Sequence, residues 1–554
     1  MDTNTPRLEI TPKSPRKKIL GIHIGGHDSS FAVINEGRVE EIIEFERVFG
    51  EKKYRVFPES IRFDKVLKWA FEEYGLSRDF DAVALHIGYF RDGLLEIAIE
   101  KIKKYLPNAH YLKLNHHLCH ASSVYFTSNF NESVILSYDG YGNDGSTITF
   151  TAKGNKIDYI KDWKFRLGTA YRALGSIIGG ISSPDNHTAG KTMGLTAYGK
   201  VIQKWKTPIK TFIKTYIPIR DQVADWEPSV ADGVFYLPGF GAIIGENTFK
   251  GPTDKLAQDF ATTFQKCWTE ITLDIVKETI RDTGISNFCI AGGASLNATT
   301  NYYITKLKEV KNTHFIPNPN DCGLAMGAAL YYYYSYQNIE WKGYPDKFFS
   351  PYKGLPILDA DKFNFFIKKY KGIKLENPTK DLAEYISKGK IVGVLQGLSE
   401  IGPRALGNRS FLCDPRQADM KDTLNQKVKG REWYRPFAPV VRECDQKEYF
   451  DVSIPVPYMS IIGFVKSLWK DKIPAVTHVD GSARLQTISK EQNEFLWDLL
   501  GEFKKITNIG VLLNTSFNGR GKPILDTYKE AFLLLETTEL DAVYSNGWLF
   551  KKNK

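Results

Sequence analysis

The alternation of apolar and polar positions changes character along the chain, and those changes predict its elements. From Ile19, the residues KKILGIHIGGHDSSFAVINEGRVEEIIEF give an apolar run, a Gly/His/Asp/Ser loop, a second run, an Asn-Glu-Gly turn and a third run. That order predicts three consecutive strands. It returns in VILSYDGYGNDGSTITFTAKGNKIDYI, so a duplicated subdomain is expected, with its two loops facing one another across a cleft. CIAGGASLNATTNYYI adds a short apolar strand running through Gly292 and Gly293 towards a helix, a place where backbone can approach a nucleotide closely. In NPNDCGLAMGAALYYYY, Asp321 precedes a helix with small residues on one side. Periodicity lapses over YQNIEWKGYPDKFFSPYKGLPI, and a domain boundary is expected there. The strand IVGVLQG then opens a part in which Gly- and Pro-rich loops carry clustered arginines. The expected organisation is a disordered basic arm over 1–18, a first domain over 19–345, a linker over 346–358 and a second domain over 359–554.

Composition narrows the class. At 554 residues the chain is too long for a single core. With 42% hydrophobic and 25% charged residues it has the balance of a soluble globular protein. No apolar run reaches the roughly eighteen residues of a membrane span, and the amino terminus lacks a hydrophobic signal core, so a cytoplasmic protein without membrane association is expected. Six cysteines without C-x-x-C spacing exclude a disulfide framework and a zinc knuckle, and predict reduced, mostly buried thiols. A net charge of +10 favours anionic ligands such as phosphates, nucleotides or nucleic acid. Paired Gly-rich loops on a duplicated α/β unit are, by analogy, those of actin-like and sugar-kinase-like ATPases, which hold phosphates between them.

The densest candidate chemistry lies in LNHHLCHASS, where His116 and His120 stand four positions apart and share one helical face. His117 points elsewhere. Asp139, at the carboxyl end of the strand VILSYD, and Asp321 could complete a set of metal ligands. Two imidazoles and carboxylates suit iron(II), manganese or zinc about equally. His27, in the first loop, is the candidate general base, since an imidazole near its ordinary pKa of about 6.5 accepts a proton at neutral pH. Asp28 and Asp259 are candidates for orienting it or an acceptor. In the carboxyl-terminal part, Arg404, Arg409, Lys429, Arg431 and Arg435 are presented on loops, where forked guanidiniums suit phosphate and carboxylate oxygens. A further stretch, KVIQKWKTPIKTFIKTYIPIR, interleaves Lys204, Lys206 and Lys210 with Trp205, the pairing expected of a nucleic-acid groove, although an amphipathic helix with solvated lysines would read the same.

Together these segments resemble the NodU-type O-carbamoyltransferases. GHDSSFAVI, FERV, HHLCHASS, SYDGYG, GKTMGLTAYG, AGGASLN, DCGLAMGAA, EIGPRALGNRS, REWYRPFAP, HVDGSARLQT and LNTSFNGRGKPI occur in the family's order, from about residue 19 to 550. The resemblance implies an actin-like amino-terminal domain followed by a YrdC-like α/β domain. It also implies ATP, with magnesium, and carbamoyl phosphate as co-substrates. Carbamoyl adenylate would form in the second domain at Arg404, Lys429 and Arg435, with Arg409, Arg431, Arg484 and Asn514. Transfer to an acceptor hydroxyl would follow in the first domain, at Gly292, Gly293 and Asn297 and an iron(II) held by His116, His120, Asp139 and Asp321. The chain departs from the family at Leu398, where an arginine is usual, and at Lys522, where an acidic residue is usual. A hydroxymethylated pyrimidine in DNA, or a nucleotide, is the alternative acceptor to a small molecule; the oligomeric state is left between monomer and homodimer. An actin-like small-molecule kinase is the competing class, and it leaves the arginine loops without a task.

Overall fold

In the computed structural model, residues 15–88, 93–178, 181, 188–215 and 249–552 are described. The repeat read in the sequence is a repeat in space. One five-stranded sheet comprises β1 (Lys18–Ile24), β2 (Ser30–Asn35), β3 (Arg38–Glu44), β4 (Ala82–Ile87) and β5 (His110–Lys113), in the order β3-β2-β1-β4-β5. A second comprises β6 (Glu132–Gly142), β7 (Gly145–Lys153), β8 (Lys156–Asp162), β9 (Asn287–Ala291) and β10 (Asn312–His314), in the corresponding order β8-β7-β6-β9-β10. Each begins as an antiparallel meander and continues with two parallel strands. This is the duplicated, actin-like α/β unit.

Two helices lie between the sheets, and composition explains why. His116–Tyr125 and Leu324–Tyr331 share one core with Ala32, Ile34 and Ala84 of the first sheet and Ile135, Ile148 and Ala291 of the second. Leu324–Tyr331, reading LAMGAALY, is buried through Leu330, as a helix apolar on every side must be. Its small residues let both sheets approach. The outer face of the second sheet is covered by the long helix Lys255–Thr283, whose start is capped by Asp254 accepting from Leu256 N.

A third, eight-stranded sheet forms the carboxyl-terminal α/β part. Val392–Leu395, Arg409–Cys413, Val511–Ser516 and Ala438–Arg442 are neighbours at its centre. Among the described residues no helix is long and apolar enough to cross a membrane. Five cysteines are buried, Cys444 is exposed, and all six are free thiols.

Two expectations change. The arm expected over 1–18 lies outside the described residues up to 14, but from Arg16 the backbone is fixed. Arg16 N donates to Gln337 Oε1 at 2.6 Å, and Lys17 N and Lys18 N donate to Asp81 Oδ2. The aperiodic stretch 346–358 is stitched on both sides: Lys353 O accepts from Ile42 N, Gly354 N donates to Ser399 O and Leu358 N to Asp526 O. Aperiodicity marked irregular backbone there, not a loose connection.

Candidate active site

The loop after β6 builds one end of the histidine helix as well as supplying a ligand. The first amides of His116–Tyr125 need acceptors from outside the helix. Asn143 Oδ1 accepts from His116 N at 2.8 Å and Asp144 Oδ1 from His117 N at 3.1 Å. Gly142 lets this loop lie against the helix, since a Cβ there would meet His116 Cδ2 at 2.7 Å. Asp139 is held in turn by Gly293 N, which donates to its Oδ2 at 2.7 Å. Asp321 opens the short turn that leads into Leu324–Tyr331.

These elements converge. His116, His120, Asp139 and Asp321 are all buried, and each offers a ligand atom within 4.8 Å of the others. His120 Nε2 lies 3.2 Å from Asp139 Oδ2 and 3.7 Å from Asp321 Oδ1; His116 Nε2 lies 3.7 and 3.9 Å from the same oxygens. Burial alone would push the His120 imidazole down, but Asp139 and Asp321 outweigh it and raise it to about 9. Asp321 Oδ1 is buried without a hydrogen-bond partner. Two imidazoles and two carboxylates turned to one point, with an oxygen left over, fit a divalent cation. As expected, His117 turns away, its Nδ1 lying 2.7 Å from Ser137 Oγ.

His27 stands beside this quartet, its Nδ1 3.1 Å from Asp28 Oδ2 and 3.6 Å from Asp321 Oδ2. The ordinary imidazole pKa expected from sequence is corrected: burial depresses it, but Asp321 and Asp28 together raise it to about 9. Asp28 adopts a left-handed backbone, φ 55°, and Asn320 Nδ2 donates to its Oδ2 at 2.9 Å. Strain at a polar residue in such a place accompanies function more often than chance. Sequence reasoning missed two neighbours. Glu46, held by Lys53 N at 2.8 Å, is raised to about 7 by burial and by Asp28. His23 and His86 face one another through their Nδ1 atoms at 2.9 Å, behind His116. Their alternation in GIHI and LHI was a signal that apolar-strand reading passed over.

Other candidates are corrected. Asp259 accepts from Lys200 N at 2.7 Å and pairs with Lys255, so it ties a loop to a helix and does not orient His27. Gly292 N donates to Pro319 O and Gly293 N to Asp139, so these amides serve the fold and the ligand set and are not presented to a nucleotide. Asn297 caps the helix Ala298–Thr305 through Thr300 N and binds Gln265. The basic stretch forms the helix Gln203–Thr215, with Trp205 5% exposed in the core and both Lys206 and Lys210 paired to Glu270. Of the proposed nucleic-acid contacts only Lys204 remains exposed without such a pair on that helix; a base has no ring to stack on at Trp205. The end of that stretch, from 216, lies outside the described residues.

In the carboxyl-terminal part the arginines divide. Arg409 is wholly buried, with Nε on Asp526 Oδ1 at 2.8 Å and its remaining donors on carbonyls of Gln396, Asn408, Leu355 and Gly397. It is a structural pair, and the anion-binding expectation for it is corrected. Arg409→Met is expected to lower stability by about 3–5 kcal/mol, read from the chemical denaturation midpoint, because it strands a buried carboxylate. Burial holds that carboxyl, Asp526, up at about 6 against an ordinary 3.8, despite Arg409 and Arg47. The folded state therefore binds the proton more tightly, so this contribution is fully present below about pH 3.8 and is lost as pH rises through about 6. Denaturation at about pH 4.5 and about pH 6.5 should show that difference shrinking in Asp526→Asn; an unchanged difference refutes the assignment.

Arg404, Arg431, Arg435 and Arg484 crowd together. Burial, and then the neighbouring arginines, depress Arg431 and Arg484 well below the ordinary range and bring Arg404 to about 10. Arg404 Nε and Arg484 Nε are buried without hydrogen-bond partners. Arg431 lies 4.2 Å over the Phe437 ring and donates to Asn425 Oδ1. A single carboxylate, Glu432, is recorded pairing with this group, through Arg435 at 3.4 Å, and Lys191 also holds it at 2.7 Å. Lys429 is buried, directed onto Ser516 and Asn518 oxygens, and depressed by burial, by Arg431 and by Lys52 of the amino-terminal part. Asn514 donates to Ala405 O, next to Arg404, which makes it a support for that loop. Lys522, one of the two departures noted in the sequence, reaches Gly50 O at 3.2 Å, two positions from Lys52; Leu398, the other, is 44% exposed.

Comparison with known proteins places this geometry. The family model described as carbamoyltransferase N-terminus matches residues 89–330, and that described as carbamoyltransferase C-terminus matches 383–552. Nodulation protein NolNO of Sinorhizobium fredii is 30% identical, over 95% of this chain and 79% of its own length. Nodulation protein NolO of Bradyrhizobium diazoefficiens is 30% identical over 79% of each, and nodulation protein U of Rhizobium tropici 27% over 97% of this chain and 96% of its own. Both family segments follow one another in the family's order and the relatives align over most of their own length, and on that ground the chain belongs to the carbamoyltransferase family.

Proposed function

We propose that the protein is an ATP-dependent O-carbamoyltransferase that makes carbamoyl adenylate at the arginine cluster and passes the carbamoyl group to a small-molecule hydroxyl at the histidine cluster. The observation that carries this reading is the crowding of Arg404, Lys429, Arg431, Arg435 and Arg484, buried and depressed by one another. Such a group is unfavourable until anions arrive, and ATP with carbamoyl phosphate supplies them.

In the first half-reaction carbamoyl phosphate loses its phosphate to water, the carbamate oxygen attacks the α-phosphorus of ATP, and the bond to pyrophosphate breaks. Arg404, Arg435 and Arg484 bind the anionic oxygens, and Lys429 takes up charge developing on the departing groups. In the second, the acceptor hydroxyl attacks the carbamoyl carbon, its proton passes to His27, and AMP leaves. His116, His120, Asp139 and Asp321 would hold a divalent ion, iron(II) in the family's usual form, which supplies Lewis-acid polarisation of the carbonyl and, by neutralising Asp321, lowers the proton affinity of His27. Asp28 fixes the His27 ring so that its other nitrogen faces the hydroxyl.

A small-molecule acceptor is favoured over a polyanion because the lysines at 206 and 210 are already paired to Glu270. The test is incubation with ATP, magnesium, carbamoyl phosphate and a panel of hydroxylated acceptors. AMP, pyrophosphate and a product heavier by one carbamoyl group are expected. ADP formed without need of carbamoyl phosphate would instead indicate a kinase.

A further inference from the structure

The loop that carries Arg404 is gripped from the other half of the molecule. Gly402 N donates to Glu44 Oε1 at 2.6 Å, and Arg47 Nη2 donates to Gly402 O at 2.8 Å, so both polar groups of one residue are bound by a single short helix and its leading residue. Glu44 and Arg47 are themselves paired, Nε to Oε2 at 2.8 Å, with side chains 6% and 2% exposed. Gly402 has no room to shift. Its φ is +86°, and a Cβ there would meet Pro317 O at 2.1 Å. The far end of the loop is pinned as firmly: Glu400 Oε1 accepts from Leu406 N, Asn408 N and Arg409 N. Between the two anchors stand Pro403, with fixed φ, then Arg404 and Ala405, whose carbonyl is held by Asn514. The same helix is tied to the transfer site, because Phe45 N donates to Ser29 O beside Asp28.

We infer that Glu44 and Arg47 are positioning residues for the adenylate-forming site: by clamping the Gly402 peptide they fix where the Arg404 guanidinium meets its anion. The inference rests on the function proposed above. Neither residue touches substrate. Their work is to remove the freedom that Arg404 would otherwise lose on binding, and the effect belongs in ground-state affinity for the anion.

The experiment is steady-state pyrophosphate release by the full chain with carbamoyl phosphate varied, at a temperature well below the melting point of each variant. Arg47→Met is expected to raise KM for carbamoyl phosphate about tenfold while kcat stays within about twofold, the pattern of lost uniform binding. Arg47→Lys keeps the ion pair with Glu44 and one donor, and its KM should fall between the two. A merely structural role would reduce the amount of active enzyme, lowering kcat at unchanged KM. A folded Arg47→Met variant with wild-type KM therefore overturns the inference. Should that variant not accumulate as folded protein, Glu44→Gln decides in its place: a raised KM supports the clamp and a wild-type KM overturns it. A wild-type chain that releases no pyrophosphate overturns the functional reading together with this one. Wild-type turnover beside an unaltered Arg47→Met KM removes the clamp alone.

Discussion

His120→Ala is expected to reduce carbamoyl transfer at least about a hundredfold while leaving pyrophosphate release within a few-fold of wild type, since even residues behind a metal ligand cost about 10–100-fold when changed. His120 is the residue nearest both carboxylates, at 3.2 Å from Asp139 and 3.7 Å from Asp321, so its loss opens the quartet at the centre. The alanine also leaves two buried carboxylates facing one another with one imidazole fewer between them. Bound metal per chain should fall in parallel, which separates loss of the ion from loss of a proton carrier. Undiminished transfer in a metal-depleted His120→Ala protein would remove the quartet from the reaction.

Lys429→Met should cut pyrophosphate release by about 10²–10³-fold, the usual cost of losing one preorganised donor to developing charge. Methionine keeps most of the side-chain length and discards the charge. Lys429 is buried, and burial, Arg431 and Lys52 all disfavour its protonated form. A charge kept under those conditions gives back its cost only when an anion enters, so neutralising it should harm turnover far more than folding. The loss is confined to the donors it gives Ser516 and Asn518. Pyrophosphate release at the normal rate from folded Lys429→Met would place the chemistry elsewhere.

The duplicated sheets were legible because each repeat is written in local pattern: an apolar run, a glycine turn, another run. The quartet was legible for a similar reason. His116 and His120 have helical spacing, and Asp139 ends a strand recognisable by its apolar run. Burial and pairing are not local, and there the sequence misled. Arg404 and Arg409 stand in one motif, yet Arg409 meets Asp526 117 positions away and Arg404 meets other arginines. Nothing in the spacing tells the two apart. Asn297 follows a Gly-Gly turn as a nucleotide contact would, but it is followed by a helix that needs a cap. Trp205 was read with its lysine neighbours, whereas its spacing to Ile209 and Ile213 is that of a buried face. Lys52 and Glu46 gained meaning only from what the fold brings beside them.

The grip on Gly402 also orders events during synthesis. Glu44 and Gly402 are 358 positions apart, so the ribosome must deliver most of the chain before the Glu44–Arg47 pair can find its peptide. Until then two charges destined for burial wait in water, where they cost nothing; once the second half arrives, closing so long a loop is only slightly harder entropically than closing a short one. Splitting the gene anywhere between the two partners would turn this clamp from an intramolecular contact into a bimolecular one, and the amino-terminal fragment would then depend on the concentration of its complement to bury its own ion pair.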